Sequence, residues 1–393
     1  MEKEQKNDIQ RRKSSRFYSW KVRQDCLELP FPMSEYGERL RKTQALVAEK
    51  DLEAVVICGD TGHKGNVRWL ANWEPGIGNA FLFVPAQGEV TLVLNDEVPG
   101  YNLCATWVKN ICPPTRGAES FSKVRNDLLD LLHDHKVRHS LGIIGSTGLP
   151  TSVTLGLLKD NPQLDIVDAS SMLMQMRAIK SSLEIEKVRE AVRQSDVAIK
   201  AAVEMVREGV PEKDVVGEAL RVLFVEGATD VSFMPIVVAG SRSIWKHALP
   251  TSRPIHRGEP VYIDLGASYQ GYCGDLSRTV FLGQPTPEQA NILEFALAAT
   301  EAVKQAARPG VPARRLREIG NEVGIQFGLR GKGYGTGHGI GCSLREEPLL
   351  DPDNELLLQP GMTISLEPMY IGELGTAVIE DNILITMGSK DGL

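Results

Sequence analysis

The chain has 393 residues, 42% of them apolar and 24% charged, and a net charge of -7 at neutral pH. That length accommodates two domains at about 150 residues each, and the composition is that of an ordinary globular protein. The acidic balance argues against nucleic acid as a partner, and no run approaches the roughly 20 apolar residues that cross a bilayer.

The start, MEKEQKNDIQRRKSSRFYSW, is charged and lacks the apolar stretch of a secretory signal. Cysteines at 26, 58, 104, 112, 273 and 342 show no paired spacing. This fits free thiols in a reducing, cytoplasmic setting better than a disulfide framework or a zinc-thiolate site.

Residues 1–34 read as a polar, loosely docked extension. Residues 35–175 alternate amphipathic helices with short apolar strands, the pattern of an α/β domain. The spacing predicts a helix over 35–51, a strand at 54–58, strands at 80–84 and 90–94 joined across Gln87-Gly88, a helix over 122–133 and a strand at 140–144. A second domain then runs from 176 to 393. Ser181 and Glu184 have the spacing of a capping box, and Ile185, Val188, Val192, Ile199 and Val206 follow at helical intervals. Gly209 ends that helix and Pro211 opens another, to about Gly227. From here the chain repeats itself in outline: helices at 182–208 and 211–226 lead to a hairpin at 260–283, and helices at 287–307 and 312–328 lead to a hairpin at 361–387. Two similar αα-then-β halves are expected.

In PVYIDLGASYQGYCGDLSRTVFLG, a turn centred at Tyr269-Gln270 places Asp264 opposite Asp275, with Cβ atoms about 5 Å apart on one face. In MTISLEPMYIGELGTAVIEDNILIT, the turn Gly372–Gly375 places Glu367 opposite Glu380. Like charges paired among apolar strand residues destabilise unless something offsets them, and two such pairs in matching places call for cations. Between them lies a segment with glycine at every second position from Gly331 to Gly341. As a strand it shows Lys332, Tyr334, Thr336, His338 and Ile340 on one face and leaves the other bare for close backbone approach. Four carboxylates and one imidazole form a hard, oxygen-rich set suited to two divalent ions. Mn²⁺ is favoured by the carboxylate count, with Co²⁺, Fe²⁺ and Zn²⁺ as the other candidates.

These motifs, IDLG…YCGDLSRT, GTGHGIG, SLEP and VIEDNILIT, resemble those of the pita-bread metallopeptidases, which include aminopeptidase P, prolidase, methionine aminopeptidase and creatinase. The resemblance spans residues 177–390. GNVRWLANW and the linker RAIKSSLEIEKVREA extend it to about residue 35, toward a creatinase/prolidase N-terminal domain and the two-domain branch. It implies an α+β architecture: a pita-bread catalytic domain with pseudo-twofold αα-β halves, preceded by an α/β domain. It implies Asp264, Asp275, His338, Glu367 and Glu380 as metal ligands, with Glu367 also the general base. His247, in IWKHALP, matches a pocket histidine that does not bind metal. The implied activity is cleavage of a C–N bond, an amide or Xaa-Pro-like bond, by a metal-bridged hydroxide, in a homodimer acting on short peptides or small molecules. The alternatives are hydrolysis or elimination of a small non-peptide metabolite on the same scaffold, and a non-catalytic module that binds proteins.

Two positions depart from the family pattern. GHGIG is usually followed by x-x-x-H-E-x-P, and here the histidine position is Arg345. Proline-specific members commonly carry arginine two residues before the last glutamate, and here that residue is Val378. An arginine at 345 favours an anionic group on the substrate, or a salt bridge with Glu346 or Glu347. Cys273 and Cys342 read as small packing residues, His63 as a surface residue, His133, His135 and His139 as a solvated face, and His256 as part of a turn.

Overall fold

The computed structural model describes residues 18–76, 78–95, 103–115, 117, 119–329, 333–334, 337–388 and 390–393. The chain divides into two compact units, Met1–Met174 and Gln175–Leu393.

In the first unit, helix α1 (Met33–Glu49) leads into strand β1 (Ala54–Asp60), and the short helix α2 (Gly65–Ala71) ends where Asn72 turns left-handed at φ 49°. Strands β2 (Asn79–Pro85) and β3 (Thr91–Asn95) pair antiparallel, with Gly88 at φ 109° in the connection. β4 (Asn110–Cys112), α3 (Ser120–Asp134), β5 (Ser140–Ile144), α4 (Thr151–Asp160) and β6 (Asp165–Asp168) follow. The six strands form one mixed sheet in the order β4-β3-β2-β1-β5-β6. Its core packs Val56, Phe81, Phe83 and Ile143 against Leu128 and Val153 of the helices, which is why the strands read as apolar runs rather than as alternating ones.

Two expectations for this unit need correction. From Tyr18 on, the N-terminal extension is not loosely docked. A helical turn at Trp20–Arg23 continues into a 3-10 turn at Gln24–Cys26. The buried guanidinium of Arg23 donates to the carbonyls of Tyr18, Leu103, Thr106, Val108 and Lys109. Nor are all cysteines free: Cys26 and Cys104, 78 residues apart, form a disulfide with Cα atoms 5.3 Å apart. A pair so distant in sequence has no spacing signature, so composition alone could not reveal it.

Helix α5 (Ser170–Ala178) carries the chain into the second unit. There α6 (Ser182–Met205) starts on the expected capping box, with Ser181 accepting from the Glu184 amide and Glu184 reaching back. α6 and α7 (Glu212–Val225) precede β7 (Asp230–Val231), β8 (Ile236–Ala239), β9 (Pro260–Leu265), β10 (Ala267–Tyr269), β11 (Tyr272–Cys273) and β12 (Leu276–Phe281). α8 (Pro287–Ala306) and α9 (Ala313–Gln326) precede β13 (Gly333–Tyr334), β14 (Gly337–Gly339), β15 (Glu346–Leu349), β16 (Thr363–Leu366), β17 (Met369–Gly372), β18 (Gly375–Val378), β19 (Asp381–Ile385) and β20 (Lys390–Gly392). The helix pairs therefore each lead into a set of strands, as the sequence repeat predicts. The first half closes its core with Val215, Ala219 and Leu223 under Val261 and Ile263. The second does so with Val303 and Leu316 under Ile364 and Ile383. The two hairpins meet where the Glu380 amide donates to the Ser277 carbonyl and Arg278 bridges Ile379.

Candidate metal centre

The first hairpin carries Asp264 within β9 and Asp275 immediately before β12. Its register differs from the expected one: Asp264 pairs with Ser277, and Tyr269 with Tyr272. The turn is Gln270-Gly271, with both residues at positive φ, 49° and 86°, the geometry of a two-residue hairpin turn. A turn centred one residue earlier would force Tyr269 into that region, where a bulky side chain is strained. Moving the centre by one shifts the opposition by two, which preserves the face. Asp275 is therefore a diagonal rather than a direct neighbour of Asp264. The backbones at the bend are so close that a Cβ on Gly266 would lie 1.9 Å from the Gly274 carbonyl oxygen.

The second hairpin has the expected register. Leu366 pairs with Asp381 on one side and Met369 with Val378 on the other, so Glu367 and Glu380 face each other where the ladder is interrupted. His338 comes from β14, which lies between β15 and β16. A Cβ on Gly339 would meet the Glu347 carbonyl oxygen at 2.2 Å, and one on Gly337 the Ser365 carbonyl oxygen at 1.9 Å, so alternate glycines allow three backbones to close around the imidazole. Lys332 and Thr336, expected on the same face, lie outside the described residues.

The structure brings Asp264, Asp275, His338, Glu367 and Glu380 together, all buried, on a cavity of about 330 Å³. Asp275, His338 and Glu380 each offer a ligand atom within 4.8 Å of the others. His338 Nε2 stands 3.5 Å from Asp275 Oδ2 and 3.9 Å from Glu367 Oε1. Its Nδ1 contacts the Gly339 carbonyl oxygen at 3.0 Å. A carbonyl can only accept, so Nδ1 carries the proton and Nε2 keeps its lone pair toward the carboxylates. Around them, Tyr262 Oη donates to Asp264 Oδ2 at 2.5 Å, Ser365 Oγ donates to Glu380 Oε1 at 2.7 Å, and Ser277 Oγ donates to Glu380 Oε2. Asp264 Oδ1 is buried with no hydrogen-bond partner among the described residues.

The electrostatics match this crowding. Burial foremost pushes the Asp264 carboxyl up to about 7, with Glu367 adding to the rise and the Tyr262 hydrogen bond opposing it. Asp275 and Glu380 are raised well above the ordinary range, by burial first and then by neighbouring carboxylates. Four carboxylates, an orphaned oxygen and an imidazole lone pair in one buried space are the donor set of hard divalent cations.

His247 and Arg345 line the same cavity, and both are exposed. Burial, Lys246 and Arg345 hold His247 below its ordinary value, with Glu367 pulling the other way. Arg345 Nη1 approaches Glu367 Oε1 at 4.0 Å. It does not pair with Glu346, whose carboxylate is buried between Arg177 and Lys180. Val378 is fully buried in β18. His63 is exposed and contacts Asp60 at 3.2 Å, and Cys273 and Cys342 are buried free thiols. Sequence reasoning missed Tyr262, Ser277, Ser365 and Lys246. The hydroxyls sit at ordinary strand positions, and the strand period that puts residues 262 and 264 on one face was the available signal for Tyr262.

Residues 186–387 match the family model "Metallopeptidase family M24", and residues 39–179 match "Creatinase/Prolidase N-terminal domain". A Xaa-Pro dipeptidase of Pyrococcus furiosus is 33% identical over 356 residues, 89% of this chain and 95% of that protein. One from Pyrococcus horikoshii is 34% identical over 254 residues, 63% of this chain and 72% of its own length. Among solved structures, the prolidase from Pyrococcus horikoshii OT3 superposes with a TM-score of 0.78 at 28% identity, covering 90% of this chain and 97% of that one. A recombinant prolidase from Thermococcus sibiricus gives 0.80 at 25% identity, covering 91% and 96%. A buried carboxylate–histidine cluster fit for divalent cations, on a chain matched along both of its parts, makes this protein a metallohydrolase belonging to metallopeptidase family M24.

Proposed function

We propose that the chain is a dinuclear metal-dependent peptidase that cleaves Xaa-Pro-like bonds in short peptides. The observation that carries this reading is the buried set of Asp264, Asp275, His338, Glu367 and Glu380 on one cavity, with Asp264 Oδ1 and His338 Nε2 both left for a further partner. Its likeness to two Xaa-Pro dipeptidases supports the substrate class.

Two divalent ions, Mn²⁺ by the carboxylate count, would supply Lewis acidity and a nucleophilic water at neutral pH. Asp264 and Asp275 from one hairpin, Glu367 and Glu380 from the other, and His338 from β14 would hold them. Glu367 lines the cavity with His247 and approaches Arg345 at 4.0 Å, so it is the carboxylate assigned to accept a proton from the attacking water and deliver it to the leaving nitrogen. His247, held toward its neutral form, donates a hydrogen bond to the reacting carbonyl. Arg345 steadies the charge that develops there.

A homodimer belongs to the same reading, by likeness to two-domain relatives. Cytoplasmic residence rests on the buried free thiols Cys58, Cys273 and Cys342, while the Cys26–Cys104 bond is the feature that favours an oxidising compartment.

Elemental analysis of protein purified without chelator tests the proposal. About two metal ions per chain are expected, lost in Asp275→Ala together with Ala-Pro cleavage. Light scattering on the same preparation checks the dimer, and product analysis separates hydrolysis from elimination. A chain that neither carries nor takes up Mn²⁺, Co²⁺, Fe²⁺ or Zn²⁺ would end the proposal.

A further inference from the structure

Between the end of β8 at Ala239 and Thr251 runs the loop that brings His247 to the cavity of the metal centre. Its outgoing limb is the 3-10 segment Gly240–Ile244, and its tip is Trp245-Lys246-His247. His247 lines the cavity, and Lys246 Nζ donates to Glu367 Oε2 at 3.3 Å. Trp245 and Leu249, on either side of that pair, are 63% and 73% exposed. Burial of apolar surface therefore does little to fix the tip, to which Ala248 adds a small apolar contact.

Polar contacts at the neck of the loop do more. Glu212, the first residue of α7, is fully buried. Its Oε1 accepts from the Ala239 amide at 3.0 Å and from Arg242 Nε at 3.3 Å, both on the outgoing limb. Its Oε2 accepts from the Thr251 amide and from Thr251 Oγ1, each at 2.9 Å, on the returning limb. One carboxylate thus ties the two limbs together, one oxygen to each. Arg242 adds a rung between them, its Nη2 donating to the Leu249 carbonyl at 2.7 Å. The returning limb is also docked on α7 itself: the Glu212 and Lys213 amides donate to the carbonyls of Arg253 and Thr251 at 3.1 and 3.0 Å. Amides of a helix's first turn have no acceptor within the helix, so this docking satisfies both sides. Glu212 lies outside the lining of the cavity, and its route to the chemistry is through the loop.

We propose that Glu212 is a positioning residue: by clamping both limbs of the loop it sets where His247 stands at the metal centre. The inference rests on the peptidase reading, in which His247 donates to the reacting carbonyl, and adds the residue that holds it there. Moving such a group by about 1 Å costs about 100-fold in rate. A donor to charge that develops in the transition state acts on kcat rather than on KM. In Glu212→Gln the side chain keeps its shape, but one oxygen becomes an amide nitrogen that donates and cannot accept, so one limb loses its acceptor.

A double-mutant cycle tests the clamp. The proteins are Mn²⁺-loaded wild type, Glu212→Gln, Thr251→Val, His247→Ala, and each of the first two variants combined with His247→Ala. On each, kcat and KM for Ala-Pro, metal content, and amide hydrogen exchange by mass spectrometry are measured. His247→Ala is expected to lower kcat about 100- to 1,000-fold, and Glu212→Gln about 10- to 100-fold, with KM and metal content nearly unchanged. Thr251→Val removes one donor from the same carboxylate and should lower kcat by less. In the His247→Ala background each of the two should cost less than about 3-fold, because residues that act as a unit are not additive. Amides of residues 240–251 should exchange faster in Glu212→Gln, while those of β9 and β16 keep their protection.

Additive losses in the double variants would overturn the positioning role, since Glu212 would then act by a route other than His247. So would a His247→Ala variant as active as wild type. Faster exchange that spreads to β9 and β16 would overturn it too, making the glutamate a support of the whole unit. If Glu212→Gln does not fold, the Thr251→Val cycle decides by the same criterion. Failure of metal-loaded wild type to cleave Ala-Pro would defeat the peptidase reading and this role with it, an outcome told apart because the wild type itself is then inactive.

Discussion

Tyr262 and Asp264 stand two residues apart on one face of β9, and the Tyr262 hydroxyl binds Asp264 Oδ2 at 2.5 Å. That bond fixes the carboxylate's rotation and leaves Oδ1 for a cation. Partners of this kind orient ligands and tune their basicity. Tyr262→Phe is therefore expected to weaken metal binding about 10- to 100-fold, measured by equilibrium dialysis, with circular dichroism unchanged. Equal affinity in the variant would reduce Tyr262 to a packing residue. The five candidate ligands were legible in the sequence because carboxylates are conspicuous among apolar strand residues. Tyr262, Ser277 and Ser365 were not, because hydroxyl side chains on strands are commonplace and their partners come from other elements. Lys246 was hidden for a related reason: an isolated lysine beside a turn reads as solvated until the fold sets Glu367 against it.

Whole elements are positioned by interactions just as remote in sequence. The segment that presents Arg345 is anchored one residue later, where Glu346 is buried against Lys180 at 2.8 Å and against Arg177, which also donates to Ser343 Oγ at 2.7 Å. Burial alone would push the Glu346 carboxyl up, but Lys180 and Arg177 outweigh it and hold the group below its ordinary value. Glu346→Gln would leave two cations buried without their counter-charge, at an expected loss of about 3–5 kcal/mol in urea unfolding. A change of a few tenths would show that water reaches the pair. The sequence offers Glu346 or Glu347 as a salt-bridge partner for Arg345, because adjacency along the chain is the only information it holds on that point. Turn chemistry shows the same limit. Gly372 and Gly375 bracketed the second hairpin and fixed its register, whereas in YQGY the preference of Gln270-Gly271 for positive φ decided against a centre one residue earlier.

At the scale of the molecule, the candidate metal centre is a source of instability that a cation relieves. In chelator-treated protein the Asp264 carboxyl rises from 3.8 to about 7 on folding, so between those values the native state holds a proton that the unfolded chain releases. Stability then falls as pH rises through that window. Chelated protein should melt at a lower temperature at about pH 8 than at about pH 5, and added Mn²⁺ should raise the melting temperature more at the higher pH, where protons no longer compete for the carboxylates. The reverse ordering, read by scanning calorimetry, would mean that burial and the neighbouring Glu367 do not raise the Asp264 carboxyl. The α/β and αα-β layout was legible at this scale because helix caps, apolar periodicity and paired hairpins all pointed the same way. The disulfide was not, since only the folded backbone brings residues 78 positions apart within bonding reach. That link also makes a covalent ring of the chain between Cys26 and Cys104, threaded through α1, β1, β2 and β3. A protease that cuts once inside the ring opens it without dividing the molecule, and under denaturing conditions the two pieces part only when a reductant is added.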